Sequence, residues 1–262
     1  MNNKYTGELP WEKIYDAIRF GWSRWAIDTN TSKFIIGISG GKDSTCCAAL
    51  ATKIFGKGNV VGVLMPNGIQ SDIEDARNVC KQLGIVSFEI NIKEAVESIT
   101  NGINLIYDIS SQAKINLPAR IRMATLFAVA QSIGGKVICT ANFSESFIGY
   151  STLFGDDCGA YAPIAKLTCT EVKNFTEWLG ISKDLAFKTP SDGLCGSSDE
   201  DNLGFTYLEL DTYLRTGIWE NYLSYKKIRD LHNKNLFKEE IIKIPCANIN
   251  SIILSQGWKI SY

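Results

Sequence analysis

Apolar positions near the start of the chain recur at helical spacing. Trp11, Ile14, Ile18, Trp22 and Trp25 fall on one face and predict a helix over 11–29, its aromatic stripe belonging to the core or to a surface between two copies. The pattern then changes. Positions 34–38 are a short apolar run of β-branched content, the signature of a buried strand. This run leads directly into Ser39-Gly40-Gly41-Lys42-Asp43-Ser44-Thr45, and 46–55 is apolar and helical. A second buried strand, 59–65, ends at the turn signal Pro66-Asn67-Gly68. Ser71 with Glu74 three residues on has the capping-box pattern and opens a helix that Gly84 stops after Leu83. A third strand is predicted over 86–92 and helical segments over 94–106. Pro118 suits a first helical turn, so a long helix is predicted from Asn116 to about Ile133, followed by a strand over 136–140. Thr168 or Thr170 caps the next helix, and the remainder, 203–262, is helical and amphipathic.

Successive strand–helix–strand units imply parallel pairing with right-handed crossovers. The expected fold is α/β: a doubly wound, mostly parallel sheet flanked by helices, in a single domain over 1–262. Ligands of such sheets sit beyond the carboxyl ends of the strands, near the point where strand order reverses. Ser39 to Ser44, Asn67 to Gln70 and the loop after Thr140 all fall on that edge.

Strand, glycine-rich turn, helix is the layout of a phosphate cradle. Glycines let the backbone approach an anion, and the free N–H groups of the helix start meet its charge. The loop is not a Walker A sequence, because Asp43 follows Lys42 where Ser or Thr is required. A carboxylate beside a phosphate nest repels the anion unless a cation lies between them, which makes Asp43 a candidate Mg²⁺ ligand. As local structure alone, Asp43 would be a helix N-cap. Glu145, in the loop after 136–140, is the candidate second carboxylate. Arg120 and Arg122 cannot share a helix face, so one should meet a ligand or partner and the other solvent or an acid. The acid cluster Asp199-Glu200-Asp201 is expected to be solvated or capping, and the single histidine, His232, structural or exposed.

Composition narrows the class. The chain has 262 residues, 45% hydrophobic and 21% charged, with a net charge of −1, so extended nucleic-acid contact is not indicated. Eight cysteines form no C-x-x-C pair, which favours a reducing cytoplasm over a disulfide scaffold or a zinc site. No run is long enough to span a membrane, and the first ten residues lack an apolar signal core.

The string Ser39-Gly40-Gly41-Lys42-Asp43-Ser44 resembles the pyrophosphate loop of the ATP pyrophosphatases, which cleave ATP to AMP and pyrophosphate. A wider ordered set resembles ammonia-dependent NAD⁺ synthetase: Gly37 to Ser44, Pro66 to Asp72, Asn116-x-x-Ala-Arg-x-Arg-Met123, Thr140 to Glu145, Gly149-x-x-Thr-x-Phe-Gly-Asp156, Pro190-Ser191 and Ser198-Asp-Glu-x-x-Leu-Gly204. The resemblance implies an adenine nucleotide alpha hydrolase-like fold and an ammonia-dependent C–N ligase. Such an enzyme would activate the nicotinate carboxylate of deamido-NAD⁺ with ATP as an acyl-adenylate, which ammonia converts to NAD⁺. It further implies ATP contacts from Gly37, Ile38, Ser39, Gly40, Gly41, Lys42, Asp43, Ser44, Gln70, Thr140 and Ser191. It assigns Mg²⁺ to Asp43 and Glu145, and deamido-NAD⁺ contacts to Arg120, Asp156 and Lys238. Lys42, Asp43 and Asp156 become the catalytic candidates, Asp156 as the acceptor of ammonia's proton. A homodimer in the cytoplasm is implied, without a glutaminase domain in the chain. Leu153, Ala160 and Cys169 stand where many family members have Lys, Asp and Lys, and Lys166 or Lys42 is the candidate replacement for the last. Other readings are an ATP pyrophosphatase amidating another carboxylate, such as nicotinate mononucleotide, or a non-catalytic nucleotide-binding homologue.

Overall fold

The structure is a computed structural model in which residues 5–70, 73–187, 199–241 and 243–259 are described. Four strands, β1 (Phe34–Gly37), β2 (Val60–Leu64), β3 (Val86–Glu89) and β4 (Lys136–Val137), form a wholly parallel sheet in the order β3-β2-β1-β4. Phe34 lies opposite Val60 on one side and Lys136 on the other. The chain therefore steps outward from β1 through β2 to β3, then returns to the far side of β1. The order reverses between β1 and β4, and the loops after these two strands diverge from one crevice.

Alternation along β1 divides the core. Phe34 and Ile36 face one side, with Ile14, Ile18 and Trp22 of α1 (Trp11–Asp28), Cys46 and Leu50 of α2 (Lys42–Phe55) and Val79 of α3 (Ile73–Leu83). Ile35 and Val63 of β2 face the other, where α4 (Lys93–Asn104) and α5 (Ser111–Ser132) supply Val96 and Ala130. This is the doubly covered parallel sheet expected from the near-continuous apolar strands. The predicted aromatic stripe is core: Trp22 stacks on Tyr161 at 5.4 Å and meets Phe34 edge-on at 5.5 Å. A third cluster joins α6 (Phe143–Ile148), α7 (Cys169–Trp178), α10 (Tyr207–Thr216) and α11 (Tyr222–Ile241). The short helices α8 (Lys183–Ala186), α9 (Asp199–Leu203) and α12 (Asn250–Ser255) complete the described residues.

Several boundaries differ from the sequence expectation. α2 begins at Lys42, because Gly41 is its extended N-cap and the Thr45 N–H already bonds to the Gly41 carbonyl. Asp43 is thus inside the first turn and not the cap. α5 begins at Ser111, where the Ser110 side chain accepts from the Ala113 N–H, so Pro118 lies well inside the helix. Polar Ser111 to Lys114 conceal that start in a hydrophobicity pattern. β3 and β4 are shorter than predicted, and Ile138 continues β4 only as a bridge to Tyr161. The 203–262 stretch resolves into separate helices α10, α11 and α12, and Ser71 lies outside the described residues.

Candidate active site

The turn after β1 is shaped by Gly40, whose φ of +79° suits glycine and whose added Cβ would lie 2.9 Å from the Ala76 nitrogen and from Asp75 Cβ. The loop thus lies directly against α3. Ser39 Oγ accepts from the Gly41 N–H at 3.2 Å, and Ser44 Oγ accepts from the Ser39 N–H at the same distance. Its hydroxyls satisfied internally, the loop directs Gly41 to Ser44, the start of α2, toward a cavity of about 600 Å³. That volume suits a nucleotide-sized ligand. Gly37, Ile38, Ser39, Gln70, Thr140, Glu145, Asp156 and Lys238, all predicted site residues, also line it.

On the other side of the crevice, Asn142 caps α6 through a capping box with Glu145. The same asparagine donates its Nδ2–H to Asp43 Oδ1 at 2.9 Å. One cap therefore fixes Glu145 and ties it to the phosphate loop. Lys42 Nζ sits beneath, 2.6 Å from Asp43 Oδ2 and 3.6 Å from Glu145 Oε1, with the Tyr207 ring 5.6 Å away. Lys42 is only 2% exposed. Burial works against its ammonium, but Asp43 and Glu145 outweigh burial and hold its pKa well above the ordinary lysine range. Burial, then the charge of Asp43, pushes Glu145 up to about 8. Two hard carboxylates from adjacent strand ends, sharing one ammonium between them, fit the donor set of Mg²⁺, which takes one or two carboxylates together with substrate phosphates.

A buried polar network stands behind this pair. Ser144, next to Glu145, donates to Asp211 on α10 and accepts from the Cys169 N–H at 2.9 Å, while the Thr170 N–H donates to Asp211 at 2.7 Å. Thr168 is the cap of α7, in a box with Glu171, which in turn receives Arg215 at 2.8 and 2.7 Å in a fully buried pair. Cys169 contributes only its backbone N–H and a buried thiol. Of the two candidate lysines, it is Lys42 that reaches the cavity.

The far wall is the 149–158 loop. Asp156 accepts from the Thr152 N–H at 2.7 Å, and burial raises its carboxyl above the ordinary range. Lys238 donates to the carbonyls of Gly149 and Ser151, both at 2.7 Å, so it holds this loop in shape while lining the cavity. Arg120 is exposed and donates to the Leu153 carbonyl at 3.2 Å, whereas Arg122 lines the cavity and donates to the Met65 carbonyl at 3.0 Å. The arginine that lines the cavity is thus Arg122, while Arg120 lies outside it on the exposed surface. Asp199, Glu200 and Asp201 occupy the first turn of α9, the capping alternative of the two expected, and Asp199 is also buried, lines the cavity and receives Tyr150. Ser191 lies outside the described residues. His232 is structural: Nδ1 meets the Phe147 carbonyl at 2.7 Å and its ring stacks on Phe147.

Parallel sheet, glycine loop and facing carboxylates define a nucleotide-phosphate-binding α/β protein whose site lies where the strand order reverses. The chain belongs to the NAD synthase family, whose profile matches residues 23–252. It is 41% identical over 181 residues to the NH₃-dependent NAD⁺ synthetase of Pyrococcus furiosus, covering 69% of this chain and 70% of that one. Among solved structures, an NMN synthetase from Francisella tularensis is 30% identical with a TM-score of 0.83, covering 91% of this chain and 99% of its own. The NH₃-dependent NAD synthetase of Campylobacter jejuni shares the fold with a TM-score of 0.74 at 24% identity, covering 90% and 99%.

The buried network has a measurable signature. Burial raises Asp211 from 3.8 to about 6, its bonds to Ser144 and Thr170 offsetting part of that rise. The folded state then holds the proton more tightly than the unfolded one. The associated stability is complete below the unfolded pKa of 3.8 and is lost as pH rises through about 6. The loss is roughly 3 kcal/mol between about pH 4 and about pH 7. Asp211→Asn should remove this component, so that urea-unfolding free energies of variant and wild type converge or cross as pH rises. Parallel pH profiles would contradict the assignment.

Proposed function

We propose that the protein is an ATP-dependent amidating ligase that converts deamido-NAD⁺ to NAD⁺ with free ammonia, releasing AMP and pyrophosphate. The observation that carries the reading is the meeting of Asp43, Lys42 and Glu145 at the mouth of the phosphate loop in one nucleotide-sized cavity. Family membership and the curated NH₃-dependent NAD⁺ synthetases support it. In this reading the whole of 1–262 is one catalytic unit.

A carboxylate is a poor electrophile until its oxygen is joined to a good leaving group. Its oxygen attacks the α-phosphorus of ATP and pyrophosphate departs. Ammonia then attacks the acyl carbon, a proton leaves, and AMP carries off the former carboxylate oxygen. Lys42 to Ser44 supply the N–H groups of the helix start to the phosphates, where they oppose the developing charge. Asp43 and Glu145 would hold Mg²⁺, which when bound offsets charge on the departing pyrophosphate. Gln70 and Thr140 line the nucleotide side of the cavity, with Ser191 assigned there by resemblance alone. Asp156, its basicity raised by burial, is positioned on the acceptor side to take ammonia's proton. Lys238 serves the acceptor by fixing the loop that carries Asp156.

A second reading has its own observation behind it. The NMN synthetase structure aligns with a TM-score of 0.83, against 0.74 for the Campylobacter jejuni NAD synthetase. Leu153 and Ala160 offer no charge to the distal half of a dinucleotide. In that reading nicotinate mononucleotide is the acceptor. Pyrophosphate release from Mg-ATP and ammonium, with mass detection of the amide product, separates the two. The main reading expects release that depends on deamido-NAD⁺ and yields NAD⁺, and that Asp43→Ala reduces by at least about a hundredfold. Faster turnover of nicotinate mononucleotide, or undiminished activity in the variant, would contradict it.

We also propose a cytoplasmic homodimer. The support for the compartment is that Cys46, Cys47, Cys80, Cys139, Cys158, Cys169 and Cys246 are free. The support for the dimer is the apolar face of α4 and α5, where no residue of α4 is buried and Ile103, Leu105, Ile106 and Tyr107 are exposed. Arg120, exposed on α5, would serve an acceptor bound across two copies. Light scattering should give twice the chain mass, and Ile106→Asp should halve it; a monomeric wild type would contradict the dimer.

A further inference from the structure

Lys42 is an unusual occupant of the loop. It is the first residue of α2, yet its side chain is buried and its ammonium lies between the two carboxylates read here as metal ligands. A buried ammonium persists only when it is paired, and Asp43 and Glu145 supply that pairing. A lysine and a divalent cation compete for these oxygens. Mg²⁺ demands direct oxygen ligands at short range in near-octahedral array, and an ammonium 2.6 Å from Asp43 Oδ2 already occupies one of them. A third positive charge held a few ångströms from a divalent ion would also repel it. Lys42 has somewhere to go. It lines the cavity into which the start of α2 faces, so its ammonium can turn from the carboxylates toward a bound anion.

We propose that Lys42 is an exchangeable cation. In the resting enzyme its ammonium holds Asp43 and Glu145 together; when the divalent cation arrives with the nucleotide, the ammonium leaves the carboxylates and turns to the phosphate oxygens. The inference rests on the reading of Asp43 and Glu145 as metal ligands. It assigns the loop lysine two successive partners, and it explains how a site lacking a lysine at Cys169 keeps a second cation for the departing pyrophosphate.

The test uses Mn²⁺ as the probe and needs no turnover. Lys42→Met, close to lysine in shape but uncharged, should bind Mn²⁺ without nucleotide at least about tenfold more tightly than wild type, by electron paramagnetic resonance. Its affinity for inorganic pyrophosphate with Mn²⁺ present should fall by at least as much. Equal or weaker Mn²⁺ binding by a variant whose circular dichroism shows it folded would overturn the inference. Should the variant not fold, anomalous diffraction from wild-type crystals with Mn²⁺ and α,β-methylene-ATP decides. Mn²⁺ on Asp43 and Glu145 with Lys42 Nζ displaced from Asp43 Oδ2 supports the exchange. Mn²⁺ at that place with the Lys42–Asp43 bond intact overturns the exchange and leaves the metal assignment standing, whereas Mn²⁺ elsewhere overturns both.

Discussion

Two carboxylates that repel one another are held within reach of a single buried ammonium, and the rest of the site depends on that arrangement. Asp43 and Glu145 are far apart in sequence, and each alone would be an ordinary loop or helix-end acid. The Asn142 cap and Lys42 bring them to one place. The charge imbalance this creates is visible in Glu145, whose carboxyl burial and the charge of Asp43 push up to about 8. Such a pair is costly to maintain unless a cation is its working partner.

Parallel strand topology makes the meeting possible. β1 delivers Asp43 through the glycine loop, and β4, its neighbour on the other side, delivers Glu145 through α6. The two loops splay because the order of strands reverses between them. Behind them, Asp211 ties α6, α7 and α10 into one polar cluster, so the backbone carrying Glu145 is fixed from the side opposite the ligand. In front, Lys238 holds the loop that carries Asp156. Rigid support on both sides suits chemistry in which the chain positions groups and stabilises charge without forming a covalent bond of its own.

Much of this was legible in the chain. The strand before Ser39, the glycine loop, the parallel sheet and the partnership of Asp43 with Glu145 follow from local pattern and from resemblance. Other features were hidden for physical reasons. The start of α5 is set by a Ser110 cap on a polar, solvent-facing turn, which leaves no hydrophobic period to read. Which of Arg120 and Arg122 lines the cavity depends on how α5 is rotated against the sheet, and the fold puts Arg122 there. Asp211 and Tyr207 lie in a stretch whose amphipathic pattern marks helix but not the partner across the interior. Asp199 sits in an acidic run of the kind that is usually solvated, yet it is buried and accepts a hydrogen bond from Tyr150.

In the proposed reaction the acceptor carboxylate attacks the α-phosphorus and its oxygen leaves with AMP. The most direct measurement follows oxygen. Deamido-NAD⁺ labelled with ¹⁸O in the nicotinate carboxylate would be turned over with unlabelled ATP and ammonium, and AMP and pyrophosphate examined by mass spectrometry. That reaction puts one ¹⁸O in each AMP and none in pyrophosphate. Label in inorganic phosphate or pyrophosphate, or amide formed with unlabelled AMP, would contradict it.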